Sequence, residues 1–206
     1  MLPLTLDDLL PLEEYAGRRR EFFESHCRYL DRYRRVRLGP RLTLIFENRQ
    51  TLWFRVQEII RIARLAEAHY LQQELDHFNR LLPRKDLLQA ALVIEVTDET
   101  RLAEELAPWQ NLQGDGLCFC MGEKSYPATL ITSRPEDRCI GAAHWVEFAL
   151  DEAGRRLLTD FRQPACFTIQ CPDYNHQSPS LTDDVRQSLL DDLALSDRDE
   201  LHSKAG

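Results

Sequence analysis

The sequence predicts an α+β fold: a mainly antiparallel sheet flanked by helices, with a long N-terminal and a long central helix. Two observations carry the class. Short apolar and β-branched runs come in a meander with a hairpin, and two long stretches at helical spacing lie on either side of the first predicted strand. A third sets the domain count. A chain of 206 residues with 43% hydrophobic content can bury one substantial core, so residues 1–195 are expected to form a single domain, followed by a flexible tail at 196–206.

Thr5-Leu6-Asp7-Asp8 offers a capping-box-like start, and Pro11 begins a long helix in which Leu12, Tyr15, Phe22, Phe23, His26, Tyr29, Leu30, Tyr33 and Val36 recur at helical spacing. After the breaker pair Gly39-Pro40, Arg41 to Glu47 reads as a strand. Asn48 is the predicted N-cap of the central helix, because its side-chain oxygen can accept from a free backbone N–H. Leu52, Val56, Ile59, Ile60, Ala63 and Ala66 form one apolar face of that helix, while Phe54 and Leu65 fall on the opposite side. A helix apolar on two sides is expected to be buried on two sides. Glu58 and Arg61 share the second sector, with Gln57 at its edge, and i, i+3 spacing lets the two charges pair; the pair is expected to be partly or fully buried and in contact with Glu47, Asn48 or Arg49.

A helix from His69 ends at Leu82-Pro83, because a residue before proline avoids the helical region. Further strands are predicted at Leu88 to Thr97, Leu117 to Met121, Tyr126 to Thr132, Ala142 to Leu150 and Cys166 to Cys171, with a short helix around Glu99 to Trp109 and a turn at Gly114-Asp115-Gly116. Thr182 or Asp183 starts an acidic C-terminal helix.

The run Gly39-Pro40, Phe46-Glu47-Asn48-Arg49, Thr51, Gln57-Glu58 and Arg61 resembles an uncharacterised bacterial family catalogued as domain of unknown function 3501. Glu74-Leu75 with Asn79, Leu82-Pro83 and Leu189-Leu190-Asp191-Asp192-Leu193 extend the resemblance over most of the chain. It brings no established activity. It implies genes lying near those for rubrerythrin and an iron–sulfur oxidoreductase, and so a rubrerythrin-like or iron–sulfur redox protein as partner. The family commonly carries an acidic residue where this chain has Ala63, so a site needing a second carboxylate two residues past Arg61 is not carried over.

A net charge of −8 argues against general nucleic-acid binding. The charge is uneven: nine Arg against three acidic residues from Gly17 to Arg41, seven acidic against three basic from Leu181 to Gly206. Such ends are expected to be solvated or to pack near one another, with RNA binding by the basic helix as the other reading. No segment has the make-up of a signal peptide or a membrane span, so the expectation is a cytoplasmic chain with free thiols.

No metal and no cofactor is expected. Cys118 and Cys120 in an extended strand lie ~6.6 Å apart, too far for two ligands of one tetrahedral zinc. Cys139, Cys166, Cys171 and His176 join them only through folding that local sequence does not show, and His144 reads as a core histidine. Cys139, close to Arg134 and Arg138, is a candidate reactive thiol. Tyr174-Asn175-His176 reads either as a site loop or as a turn. The strongest candidate ligand-binding set is Glu47, Asn48, Arg49, Gln57, Glu58 and Arg61. It sits at a strand-to-helix junction where free backbone donors and two guanidinium groups can hold a carboxylate or phosphate, or else form a network that fixes helix to sheet. Three functions follow: a non-enzymatic accessory or binding protein of a redox or oxidative-stress system, a small-molecule or metal-dependent enzyme, or a nucleic-acid binder.

Overall fold

A computed structural model describes residues 1–109, 116–131 and 143–203, with side chains to Ala194 apart from Glu99. Helix α1 (Leu12–Tyr29) passes through a π turn (Leu30–Arg34) into strand β1 (Arg35–Leu38), and β2 (Leu42–Phe46) leads into α2 (Arg49–Ala63) and α3 (Ala68–Asn79). There follow β3 (Leu87–Ile94), α4 (Leu102–Leu106), β4 (Leu117–Met121), β5 (Lys124–Ile131), β6 (Ala143–Ala149), α5 (Glu152–Thr159), β7 (Ala165–Cys171), β8 (Tyr174–Gln177) and α6 (Asp183–Ser203). Among the described residues the strands form one antiparallel sheet in the order β1-β2-β3-β6-β5-β4-β7-β8. The expected α+β class and all six expected strands are therefore present. Cys139 and the 114–115 part of the expected turn lie outside the described residues.

Strands β1 and β8 and helix α5 are not among the elements expected from the sequence, and the N-terminal helix ends earlier than expected. The helical spacing of Tyr29, Tyr33 and Val36 carried the expected N-terminal helix too far. The π turn shifts the phase of the chain, and Val36 and Leu38 instead point inward from β1, paired with Leu44 and Leu42. Tyr174-Asn175-His176 belongs to strand β8 rather than to a loop or turn. Helix α5 is short, and Asp151 caps it by accepting the Gly154 N–H.

The sheet curls toward a barrel. Its concave side is filled by Phe46, Phe119, Phe148 and Phe167, with Phe119 stacked on Phe167 at 4.3 Å, and by Val185, Leu189 and Leu193 of α6. Each fully buried Phe contributes roughly 1.5–3 kcal/mol. Arg186 ties α6 down: its buried guanidinium donates to the carbonyls of Leu157 and Leu158 in the last turn of α5 and of Asp160 and Gln163 in the turn that follows. On the convex side α2 and α3 pack through Leu52, Val56, Ile60, Leu75 and Phe78, with Trp145 of β6 against them.

The two sheet edges meet at one phenol. Tyr174 of β8 donates to the Leu38 carbonyl and accepts from the Arg41 N–H at 3.1 Å. Gly39 lies in this corner with φ +71°, and a Cβ there would come within 2.6 Å of the Tyr174 hydroxyl. Gly39→Ala should destabilise by more than about 1 kcal/mol, since both the backbone region and the contact oppose a side chain. A chemical-denaturation midpoint equal to that of the wild type would show that the corner is slack.

Candidate functional site

The six candidate residues divide among four groups. Asn48 caps α2 as expected, accepting the Thr51 N–H at 3.1 Å, and its own N–H donates to Thr51 Oγ1 at 2.8 Å. Glu47, buried at the end of β2, accepts from Thr51 Oγ1 and pairs with Arg55 at 2.7 Å. Glu58 and Arg61 form the predicted partly buried pair, 3.0 Å apart. Their further partners come from α1: Arg19 at 2.9 Å and the Tyr15 hydroxyl at 2.9 Å. The expected contact of this pair with Glu47, Asn48 or Arg49 is not among their bonds, because Glu58 lies nearly three helical turns beyond Asn48. Gln57 is buried beside the chain entering α1, where its Nε2 faces the Leu10 carbonyl at 3.5 Å.

Burial alone would raise the Glu58 carboxyl. The guanidinium groups of Arg19 and Arg61 and the Tyr15 hydroxyl outweigh it and hold the group at about 2. Desolvation, followed by the bond to Glu58, pushes the Tyr15 phenol well above its ordinary value. This cluster is saturated: each Glu58 oxygen accepts from more than one donor.

Arg49 and Asn48 open instead onto a cleft of about 490 Å³, within the range of small-molecule sites. It lies between the start of α2, the π turn with Tyr29, Tyr33 and Arg34, and the α6 residues Asp184, Gln187, Ser188, Asp191 and Asp192. At its floor Arg34 and Asp192, each with a side chain 3% exposed, form a bidentate pair across 158 residues of chain. Tyr29 joins the floor by accepting from Arg34 Nε at 3.0 Å and from Asn48 Nδ2 at 2.8 Å. With those two acceptor positions filled, the phenol retains its proton to donate.

The cleft is electrostatically two-sided. Arg49 and the positive end of the α2 dipole form one wall, and Arg49 Nε is buried without a hydrogen-bond partner while its Nη2 holds Asp8 at 2.6 Å. Asp184 and Asp191 form the other wall. Burial pushes the Asp192 carboxyl up to about 6, against the pull of Arg34. Segments of π helix recur at functional sites, and this one supplies two of the lining residues, Tyr33 and Arg34.

Sequence reasoning missed Tyr29, Arg34 and Asp192. The signal lay in the opposed charge of the two ends, which do pack together: Arg32 pairs with Asp184 at 2.8 Å, alongside Arg34 with Asp192. Other candidates are placed elsewhere. His144 is half-buried on the concave face, and burial lowers its pKa. Tyr174 closes the sheet. Among the described residues no three His, Cys, Asp or Glu side chains come together in a geometry that could hold a metal ion. No helix among the described residues is long and apolar enough to cross a membrane.

Comparison with known proteins gives a family and a fold. No curated protein matches the chain. A crystal structure of a novel protein of unknown function from Burkholderia pseudomallei is similar, with a TM-score of 0.83 and 29% identity, covering 93% of this chain and 100% of that one. The family model described as protein of unknown function (DUF3501) matches residues 3–193, and by that match the chain belongs to this family.

Proposed function

We propose that this is a non-enzymatic cytoplasmic accessory protein that binds a small carboxylate-bearing molecule in the cleft between α2, the π turn and α6. The observation that carries the reading is the two-sided lining. A carboxylate suits Arg49 Nε, the positive end of the α2 dipole and the Tyr29 hydroxyl, while Asp184 and Asp191 suit a cationic or hydrogen-bond-donating group at the ligand's other end. The proposal includes service to a bacterial redox or oxidative-stress system with a rubrerythrin-like or iron–sulfur partner. Its support is the gene neighbourhood that the family resemblance implies.

One observation favours an enzyme acting on the same molecule: a buried carboxyl near 6 at the cleft floor suits proton transfer near neutral pH. Nucleic-acid binding has weaker support. Of the nine arginines from Gly17 to Arg41, Arg18, Arg19, Arg20, Arg32, Arg34, Arg35 and Arg41 are engaged with carboxylates.

Thermal melts at constant ionic strength against amino acids, dicarboxylates and inorganic phosphate test the cleft. A ligand at 100 times its Kd should stabilise by about 2.7 kcal/mol. That shift should shrink in Arg49→Ala and in Tyr29→Phe. A shift that persists unchanged in both variants would place the binding site elsewhere.

A further inference from the structure

On the convex side of the sheet, the part formed by β5, β4, β7 and β8 presents half-buried and exposed side chains. Alternation puts Leu117, Phe119 and Met121 of β4 and Ala165, Phe167 and Ile169 of β7 into the core, so Cys118, Cys120, Cys166 and Thr168 face outward, all only partly buried. The register sets Cys120 directly opposite Cys166. In the same register the Gly122 N–H donates to the Pro164 carbonyl at 3.3 Å. Hydrogen-bonded rungs recur every second residue, so Cys120 and Cys166 also occupy such a rung, the wider kind, with Cα atoms about 5.5 Å apart. Around the two sulfurs, Ser125 Oγ and Thr168 Oγ1 lie 3.6 and 3.5 Å from Cys120 Sγ, and the Gln177 side chain bonds Cys166.

We propose that Cys120 and Cys166 form a two-coordinate site for a soft monovalent cation of the Cu(I) class. Cβ atoms on opposed residues stand about 4.5–5.5 Å apart, towards the upper end on a hydrogen-bonded rung, whereas a disulfide needs about 3.8 Å. Two metal–sulfur bonds of about 2.3 Å laid in line span about 4.6 Å, which the rung accommodates without moving the strands. Thiolates select Cu(I), and the neighbouring hydroxyl and amide groups can donate to them. In the binding step two S–H bonds break and two S–Cu bonds form. Two protons go to solvent, copper stays monovalent, and no electron moves. Cys118, one rung away on the same strand, is not required, and Cys171 has the core-facing parity of its strand. The site is independent of the cleft.

The test is anaerobic titration of the reduced full-length protein with Cu(I) against a chromophoric Cu(I) chelator, followed by rapid alkylation and mass spectrometry. The expected result is one Cu(I) per chain, with Cys120 and Cys166 protected from alkylation while Cys27, Cys118 and Cys171 label as in the copper-free protein. Changes beyond the ligand sphere already weaken metal sites about 10–100-fold, so Cys120→Ser and Cys166→Ser should each weaken binding by more than that. Cys118→Ser should leave it unchanged. Protection requires no variant to fold and reads the site in the wild type. Absence of competitive binding, binding that survives Cys166→Ser, binding that depends on Cys139 instead, or a Cys120–Cys166 disulfide as the stable form of aerated protein would each overturn the proposal.

Discussion

Arg34→Met should cost about 3–5 kcal/mol of stability, the usual penalty for leaving one charge of a buried pair alone. Asp192 would keep the neutral Asn48 side chain as a donor but lose its counter-charge. Its side chain is 3% exposed and the Arg34 guanidinium is bound to both of its oxygens. The double variant Arg34→Met, Asp192→Leu should recover most of the loss, because apolar side chains of similar volume replace both desolvated charges. Urea unfolding of the wild type, Arg34→Met, Asp192→Leu and the double variant gives the coupling directly. A double variant as unstable as Arg34→Met alone would mean that the pair fixes the fold in a way apolar packing cannot replace.

The same carboxyl gives a pH signature. Asp192 is raised in the folded state to about 6 from its ordinary value of 3.8, so between those values the native chain holds a proton that the unfolded chain has released. Stability from this group is fully present below about pH 4 and is lost as pH rises through about 6. His26 has the opposite slope. Burial against Phe54, reinforced by Arg55 and Arg35, lowers it to about 4, so stability rises as pH climbs from there to its ordinary value of 6.5. The two largely offset each other in the wild type. Asp192→Asn should expose the His26 limb, making stability increase with pH between about 4 and 6.5.

What the sequence revealed, and what it hid, follows from the distance over which each feature is decided. Asn48 as a cap, burial of α2 on two sides through Leu52, Val56 and Ile60 on one and Phe54 on the other, and the Glu58–Arg61 pair are local properties of one helix, and all three are present. The expected faces ran too far, because the helix ends at Ala63, Ala63 and Ala66 are exposed, and Leu65 packs with the cluster of Leu52 rather than opposite it. Strand β1 has four residues, too few for alternation to outweigh the helical spacing that Tyr33 and Val36 continue from α1. The cleft is decided at longer range still. Asp192 follows Val185 and Leu189 at intervals of four and three, so its place in an inward apolar stripe of α6 was readable, but its partner 158 residues away was not. Separating Glu58 from Asn48 and Arg49 likewise required knowing that α1 crosses α2 near Glu58.

That crossing sets the expected behaviour of the Glu58 cluster. With Arg61 as the only partner, Arg61→Ala would isolate a buried carboxylate; with Arg19 and Tyr15 also bound to Glu58, the single change should cost only about 1–2 kcal/mol, near the value of a charge-assisted hydrogen bond. Arg19→Ala should behave alike. Removing both guanidinium groups leaves Glu58, with a side chain 16% exposed, held by the Tyr15 hydroxyl alone, and the double variant should lose about 3–5 kcal/mol, more than the two singles combined. The pH dependence identifies the cause. Glu58 is lowered in the folded state to about 2 from its ordinary value of 4.5, so its contribution is present above about pH 4.5 and disappears as pH falls towards 2. In the double variant that acid limb should vanish or reverse. Strictly additive losses with an unchanged acid limb would show that the two arginines act on the surface of α1 and α2 and not through Glu58.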